Sequence, residues 1–356
     1  MKNKIIILSL IVTIILISLS ILLPKTLQNS YAVSTTFADT IMSLASTSAC
    51  NAGGTGVCAT NSYTDTDGTT KYHDYRFRGA DPNNYVSFNN DIYRIIGVFD
   101  ENTHGIEGKY FVKLIMANRL YTGAWGVYNT NNASGIYKRY SSDWTGNTTG
   151  VKASANVLLN EFFYNKTNTS STYGECSSWT YFFTEKKTFN CSNIVGHGID
   201  DNSRNYIEKV TWYLNGYNST DYSKQNFYLC ERGLSTDTTN CMSANSGAYD
   251  TNTTDKIGLM YASDFLYASS YFADTDTTIA SSSYYYGNKN WLYKGDDWTL
   301  TPKIDEDTMA FFVNGSKLFH WSVGQGRGIR PTFYLKSNVI VTGGSGTFDN
   351  PYKLSM

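Results

Sequence analysis

The fold of this chain is decided by the segment Tyr85-Val86-Ser87-Phe88-Asn89-Asn90-Asp91-Ile92-Tyr93-Arg94-Ile95-Ile96-Gly97-Val98-Phe99. Two runs rich in β-branched and aromatic residues flank Asn89-Asn90-Asp91, which favours a tight turn, so the segment predicts a β-hairpin. Further strands are predicted on either side of the hairpin, at 72–78 and 110–116. A meander of short strands therefore opens the folded part of the chain.

Downstream of this meander the residue pattern predicts few helices and many short strands. Apolar residues occur at helical spacing in Phe37 to Ser46 and in Ala155 to Tyr164, where Ser154 is placed as a helix cap. The segment Arg204 to Leu214 fits either a helix or a strand. Strands are predicted at 257–261, 291–292, 309–313, 319–323, 329–335 and 339–341, and a short helix at 263–268. The sequence thus predicts an α+β domain with an irregular mixed sheet, short strands, few helices and long loops.

The composition excludes one class of partner. The chain has 356 residues, 29 Lys and Arg against 30 Asp and Glu, and a net charge of −1. A nucleic-acid binder needs an excess of basic residues to displace counterions from phosphates, so no nucleic-acid partner is predicted. Aromatic residues make up 15% of the chain, which gives it enough apolar surface to fold rather than to stay disordered.

The amino terminus predicts export. Lys2 and Lys4 precede Ile5 to Leu23, an uncharged run that as a helix would be about 28 Å long, close to the thickness of a bilayer core. The length of this run favours a membrane anchor, whereas the small residues Ser30 and Ala32 favour cleavage of a signal peptide. Residues 1–32 are therefore predicted to be either a signal peptide or an N-terminal anchor, and the remainder is predicted to be extracytoplasmic, membrane-anchored or secreted.

The number and spacing of the cysteines are typical of a protein that folds in an oxidising compartment. All six follow the apolar run and form three neighbouring pairs, Cys50 with Cys58, Cys176 with Cys191, and Cys230 with Cys241. Sequential disulfides are the simplest arrangement, and each would close a short loop. Because the spacing C-x-x-C does not occur and the histidines are scattered, no metal site is predicted. Residues 33–70 are predicted to be a stalk and a disulfide-stapled loop in front of a globular domain at 71–354.

Several segments of the globular part, taken together, are distinctive enough to be compared with a known family. They are Tyr75-Arg76-Phe77-Arg78-Gly79, Tyr93-Arg94-Ile95-Ile96-Gly97-Val98-Phe99, Ile257-Gly258-Leu259-Met260-Tyr261-Ala262-Ser263-Asp264, Asn290-Trp291-Leu292, Trp298-Thr299-Leu300-Thr301-Pro302 and Arg330-Pro331-Thr332-Phe333-Tyr334-Leu335-Lys336. The set resembles a functionally uncharacterised family of exported surface proteins from Firmicutes, which is related to the DUF6273-type domains. This resemblance implies a distant C-type-lectin-like superfold, shared with formylglycine-generating enzymes.

The sequence departs from the functional motifs of both groups. The Glu-Pro-Asn, Gln-Pro-Asp and Trp-Asn-Asp triplets of calcium-dependent sugar binding are missing. All six cysteines are accounted for as disulfides, which leaves no catalytic pair of the formylglycine-generating kind. No catalytic residue, no cofactor and no enzyme activity is therefore predicted.

The strongest functional signal is a stretch in which aromatic, amide and carboxylate side chains occur together. Rigid aromatic rings with polar neighbours suit stacking on sugars or contact with protein loops. Trp291 and Trp298, inside motif segments, are predicted to lie in the core. The predicted ligand-binding residues are Tyr284, Tyr285, Tyr286, Asn288, Tyr293, Asp296 and Asp297, of which the tyrosine run and the two aspartates are expected at the surface.

These features favour a non-catalytic binding or adhesion protein of the bacterial cell surface. Its expected partner is a glycan or a protein at that surface, with a membrane contact through the N-terminal segment. The alternatives are a structural envelope protein that associates with copies of itself, and an enzyme on the formylglycine-generating fold.

Overall fold

The computed structural model describes residues 35–60, 74–128, 140–141, 143–146, 152–168, 170–171, 174–177, 188–190, 196–218, 223–237, 239–241, 250–276, 288–304, 308–314 and 317–356. In 127–128, 140–141, 170–171, 174–177 and 188–190 it describes the backbone alone. Thr36–Met356 forms one compact unit, separate from Met1–Thr35. The predicted leader at 1–32 lies outside the described residues.

The helices of the described part are short. They are α1 Phe37–Met42, α2 Thr47–Cys50, α3 Glu101–His104, α4 Ser154–Val157, which continues as a π-helix at Leu158–Phe163, α5 Asp201–Arg204, α6 Lys224–Glu231 and α7 Ala262–Ala268.

The strands of the described part are numerous and also short. They are β1 Gly56–Thr60, β2 Asp74–Arg78, β3 Tyr85–Phe88, β4 Asp91–Phe99, β5 Phe111–Met116, β6 Tyr121–Gly123, β7 Val127–Tyr128, β8 Tyr140–Ser141, β9 Ser170–Ser171, β10 Gly174–Ser177, β11 Thr188–Asn190, β12 Val210–Tyr213, β13 Asn252–Asp255, β14 Trp298–Pro302, β15 Met309–Asn314, β16 Lys317–Ser322, β17 Arg327–Ile329, β18 Thr332–Tyr334, β19 Ile340–Gly343 and β20 Lys353–Ser355. With several small, mostly antiparallel sheets and few helices, the predicted α+β class is confirmed.

The predicted hairpin is present as β3 and β4. Ser87 pairs with Ile92 and Phe88 with Asp91, so Asn89 and Asn90 form a two-residue loop. Both loop residues have positive φ, 53° and 62°, which is the backbone that a type I′ turn requires. Asparagine tolerates this conformation better than most residues, and this explains why the turn forms here.

The main sheet is built around this hairpin. It is antiparallel with the strand order β1-β2-β4-β5-β18, and β3 also pairs with β4. Nearly every residue of β4 and every residue of β5 is buried, so both faces of the sheet are covered. The helix α7 packs on β2 and against α6.

The segment predicted to be a stalk is part of this core. Phe37 and Ile41 of α1 are completely buried, and β1 pairs with β2 along its whole length. The Phe37 backbone N donates a hydrogen bond to Val339 O at 2.7 Å, and the Phe37 ring lies 5.6 Å from that of Tyr352. Residues 36–60 therefore belong to the folded unit, because Phe37 and Ile41 are buried and β1 is a strand of the main sheet.

Several predicted elements differ in detail. Residues 257–261 are extended but make a single bridge, from Gly258 to Thr332, and 291–292 form a turn. The predicted strand at 329–335 is divided at Pro331, which has no N–H to donate to a neighbouring strand. Ala153, rather than Ser154, occupies the cap position of α4. The ambiguous segment 204–214 contains the strand β12.

Two of the three predicted disulfides are confirmed, Cys50–Cys58 and Cys230–Cys241. The third lies outside the described side chains. Disulfides persist in oxidising compartments, so the two that form fit an extracellular location. Among the helices described, none has the length and apolar character needed to span a membrane.

Candidate functional site

The structure places the predicted ligand-binding residues in different environments. Tyr284, Tyr285 and Tyr286 lie outside the described residues. Asn288 is exposed, and Tyr293 and Asp296 are half-buried. Trp291 and Trp298 are buried, and their predicted core positions are confirmed.

Asp297 is buried, and its predicted surface position is wrong. Its side chain is only 1% exposed and lies between two guanidinium groups. Arg119 Nε donates to Asp297 Oδ1 at 2.5 Å, and Arg330 Nη1 lies 3.6 Å from Oδ2. These two cations offset the cost of removing the carboxylate from water, so Asp297 can occupy the interior.

Asp296 connects the predicted site to a small three-stranded sheet. Its Oδ2 accepts a hydrogen bond from Asn314 Nδ2, at the end of β15, at 3.1 Å. Its backbone O accepts one from Gly328 N, in β17, at 2.7 Å. The sheet of β14, β15 and β16 therefore begins directly beside the predicted residues.

One face of this sheet carries a row of aromatic side chains. Trp298 pairs with Phe312 and Phe312 pairs with Phe319, so the three side chains point to the same side. Ring centroids are 5.5 Å apart for the first pair and 6.4 Å for the second. Trp321 lies two residues after Phe319 and shares its side of the strand. We call Trp298, Phe312, Phe319 and Trp321 the aromatic face.

The aromatic face changes from buried to exposed across the three strands. Trp298 and Phe312 are buried, whereas Phe319 is 37% exposed and Trp321 is 55% exposed. Most large aromatic side chains in the described residues are buried, which makes an adjacent exposed pair unusual for this chain. A flat ligand can therefore reach two rings that are held by a rigid strand.

Arg327 adds a cation to the aromatic face. Its Cζ lies 4.5 Å from the centroid of the Phe312 ring, a distance at which a guanidinium is attracted to the ring. Its buried Nε has no hydrogen-bond partner. Aromatic rings beside an amide and a carboxylate can both stack on a sugar ring and bond its hydroxyl groups.

The sequence predicts a strand at 319–323, within which the two rings of β16 lie, but it does not predict their exposure. The available signal was the alternation of Phe319 and Trp321 within a strand whose intervening residue is a histidine. Period-two alternation shows that two residues share a side, but it does not say which side faces water. The exposure of these rings therefore became visible only with the tertiary packing.

A second set of functional groups, which the sequence analysis missed, lies deep in the core. It joins the main sheet to α6 and α7, and its ionisable side chains are all 3% exposed or less. We call this set the buried charge cluster, and its members are Asp74, Arg76, Lys113, Glu231, Arg232 and Asp264.

Asp264 is the centre of the buried charge cluster. Its Oδ2 is 2.6 Å from Lys113 Nζ and also accepts the Tyr261 backbone N–H at 2.9 Å. Its Oδ1 is 3.1 Å from Arg76 Nη1, while Arg76 Nη2 is 2.9 Å from Asp74 Oδ2. One carboxylate thus joins β2, β5 and the first turn of α7.

The two neighbouring cations keep the Asp264 carboxylate charged. Burial by itself would raise the pKa of the Asp264 carboxyl, but Lys113 and Arg76 outweigh burial and lower it. Burial lowers the pKa of Lys113 to about 8, with Asp264 opposing the shift. The rings of Tyr261, Trp212, Tyr334 and Phe99 surround the ammonium within 5.6 Å, so its remaining contacts are cation–π contacts.

The buried charge cluster is suited to holding the fold together rather than to contact with a substrate, because its groups are sealed from solvent. A metal site is not apparent either: the described side chains contain no group of three or more His, Cys, Asp or Glu placed to hold a metal ion. The aromatic face is therefore the best candidate for ligand contact in the described part of the chain.

Comparisons with protein-family models, with curated proteins and with solved structures each find no match. The resemblance to exported Firmicutes surface proteins, and to the C-type-lectin-like superfold, stays a prediction.

Proposed function

We propose that this chain is a non-catalytic binding protein of the bacterial cell surface, and that its aromatic face binds a carbohydrate. Export, by an N-terminal anchor or by secretion, is supported by the basic and apolar amino terminus and by two disulfides. The proposal does not depend on which of the two routes applies.

A single observation carries the proposal, the exposed pair Phe319 and Trp321 on one face of β16. An indole and a phenyl ring fixed on a strand lose little conformational entropy when a ligand stacks on them. Polar groups for sugar hydroxyls are available on Asn314, two residues after Phe312 in β15, and on Asp296, to which Asn314 donates. A protein loop is the other ligand that fits rings with polar neighbours.

Binding to neutral and acidic polysaccharides tests this proposal, with intrinsic tryptophan fluorescence or calorimetry as the readout. We expect Trp321→Ala to weaken binding about tenfold, because it removes the most exposed ring of the face, and Phe319→Ala to weaken it less. Phe348→Ala is the matched control, since Phe348 is 64% exposed but packs on Tyr85 in another part of the fold.

Two outcomes would contradict the proposal. One is that no polysaccharide binds to the chain. The other is that Trp321→Ala and Phe348→Ala bind a polysaccharide equally well. If the chain instead forms dimers or larger species that Trp321→Ala dissociates, as measured by sedimentation, the aromatic face is a contact between copies, and the alternative of a self-associating envelope protein is supported.

A further inference from the structure

Four cationic side chains meet at the loop 291–297, which precedes β14. Arg330 Nη1 donates to Leu292 O at 2.9 Å, and the Arg94 guanidinium lies 4.7 Å from the Trp291 ring centroid. Lys294 is an exposed residue of the loop itself. The Arg119 guanidinium lies against Gly295, since a Cβ built on that glycine would be 2.5 Å from Arg119 Nη2.

Fewer negative charges are present to balance these cations. Asp297 is shared between Arg119 and Arg330, and Asp81 Oδ1 accepts from Arg94 Nη2 at 2.8 Å. Asp81 is largely in solvent, which weakens its contribution. The remaining loop carboxylate, Asp296, bonds Asn314. Positive charge is therefore in excess here, although the whole chain has a net charge of −1.

One of these cations is left with an unsatisfied donor. Arg330 Nε donates to Met116 O at 3.0 Å and Nη1 donates to Leu292 O, but Nη2 is buried without a hydrogen-bond partner. An unpaired donor on a buried cation destabilises the free protein, and a nearby anion reduces that cost.

The accessible cations lie next to the aromatic face. Arg119 packs on Gly328, and the preceding residue, Arg327, lies over the Phe312 ring. The Arg119 side chain is 34% exposed and Lys294 is exposed, whereas Arg94 and Arg330 are buried. A ligand that stacks on the aromatic face can thus bring a substituent to Arg119 and Lys294.

We propose that Arg119 and Lys294, supported by Arg94 and Arg330, bind the acidic group of a sugar, so that the ligand of this protein is an anionic polysaccharide. The inference rests on the proposed function and narrows its ligand class to sugars that carry a carboxylate or a sulfate. Guanidinium groups bind both kinds of oxyanion, which is why the proposal names their shared chemistry.

Calorimetry on the full chain with four probes tests the inference. The probes are polygalacturonate, dextran sulfate, neutral dextran and inorganic sulfate. We expect at least one of the two acidic polymers to bind about tenfold more tightly than dextran, and its affinity to fall as salt is added, because salt screens exposed charges.

Charge variants locate the site. Lys294→Gln is expected to weaken binding of the acidic polymer about threefold to fivefold, which is the effect expected for the loss of a solvent-exposed ion pair. Binding of dextran should not change. Lys353→Gln is the matched control, since Lys353 is exposed on β20 in another sheet. Lys294→Glu is expected to weaken binding of the acidic polymer further. Thermal unfolding of each variant shows whether the variant has folded.

The outcomes separate this inference from the proposed function. If dextran and the acidic polymers bind equally tightly, and Trp321→Ala abolishes this binding, the proposed function is supported but the inference of an acidic ligand is overturned. An equal effect of Lys294→Gln and Lys353→Gln would also overturn it. Inorganic sulfate binding as tightly as the polymers would indicate a simple oxyanion site and overturn the assignment to a sugar. No binding of any polymer would overturn the proposed function as well.

Discussion

At the scale of single residues, Asp264 shows how this core tolerates charge. The carboxylate accepts hydrogen bonds from Lys113, Arg76 and the Tyr261 backbone N–H, so both of its oxygens are satisfied. Through the Tyr261 backbone N–H it also binds the N-cap residue of α7. A short sequence motif around Asp264 thus fixes the position of a helix on the sheet.

This arrangement predicts unequal effects for the two partners of one ion pair. Asp264→Ala leaves Lys113 and Arg76 buried without this carboxylate, and we expect it to lower the free energy of unfolding by about 3–5 kcal/mol. Lys113→Met should lower the free energy of unfolding by less, because methionine fits among the surrounding rings and Asp264 retains its ion pair with Arg76. Urea unfolding measures both variants.

Asp349→Asn, at an exposed position, is the control for this pair and should unfold like the parent chain. A loss of stability for Asp264→Ala no larger than that for Asp349→Asn would show that the carboxylate does not hold the cluster together. The double variant Asp264→Ala/Lys113→Met should be less destabilised than the sum of the two single changes, because the partners interact directly.

At the scale of elements, the sequence predicted some parts of the fold well and others poorly. The β3–β4 hairpin was predictable because apolar strands and asparagine turn residues all occur within one short segment. The strand β1 was missed, since Val57 and Thr60 stand among glycine, alanine and polar loop residues and the strand forms by pairing with β2. The local residue pattern therefore identifies strands that are recognisable from their own residues. It does not identify strands that form because they pair with a neighbouring strand.

The candidate site shows the same division. Composition pointed to the neighbourhood of Asp296, but it placed Asp297 at the surface, because the guanidinium groups that pair with Asp297 come from distant segments of the chain. Arg119 is 178 residues away in sequence. Such long-range ion pairs leave no spacing pattern in a single sequence, so they could not be predicted from it.

The helix α1 is an element whose role can be tested directly. Because Phe37 is buried against the C-terminal segment, Phe37→Ala should lower the free energy of unfolding by about 3–5 kcal/mol. Leu44→Ala, at a residue that is exposed just after α1, should have little effect. A stalk outside the core would give two variants of equal stability in denaturant unfolding, and that result would contradict the packing described here.

At the scale of the whole molecule, His104 gives the stability of the fold a dependence on pH. Its side chain is buried at the end of α3, where Ile106 N donates to Nδ1 and Nε2 bonds Phe99 O. Burial lowers the pKa of His104 to about 4, with the backbone hydrogen bonds opposing the shift. The unfolded chain takes up this proton at a pH of about 6.5.

The stabilisation of the fold that depends on a neutral His104 is therefore fully present above pH 6.5 and is lost as the pH falls toward 4. We expect the free energy of unfolding to decrease by about 3 kcal/mol over this interval, because one pKa unit corresponds to about 1.4 kcal/mol. Unfolding measured at a series of pH values should show a shallower decrease in His104→Gln. Identical pH profiles for His104→Gln and the parent chain would exclude His104 as the cause.

The contact between α1 and the C-terminal segment has a consequence for the order in which the molecule can mature. Phe37 completes its packing only when Val339 and Tyr352, which come far later in the chain, are in place. If the polypeptide crosses the membrane with α1 ahead of these residues, α1 must wait, uncovered, until they follow. Export in an unfolded form would suit such a topology, and a helper that shields apolar segments during transit would find its client at α1.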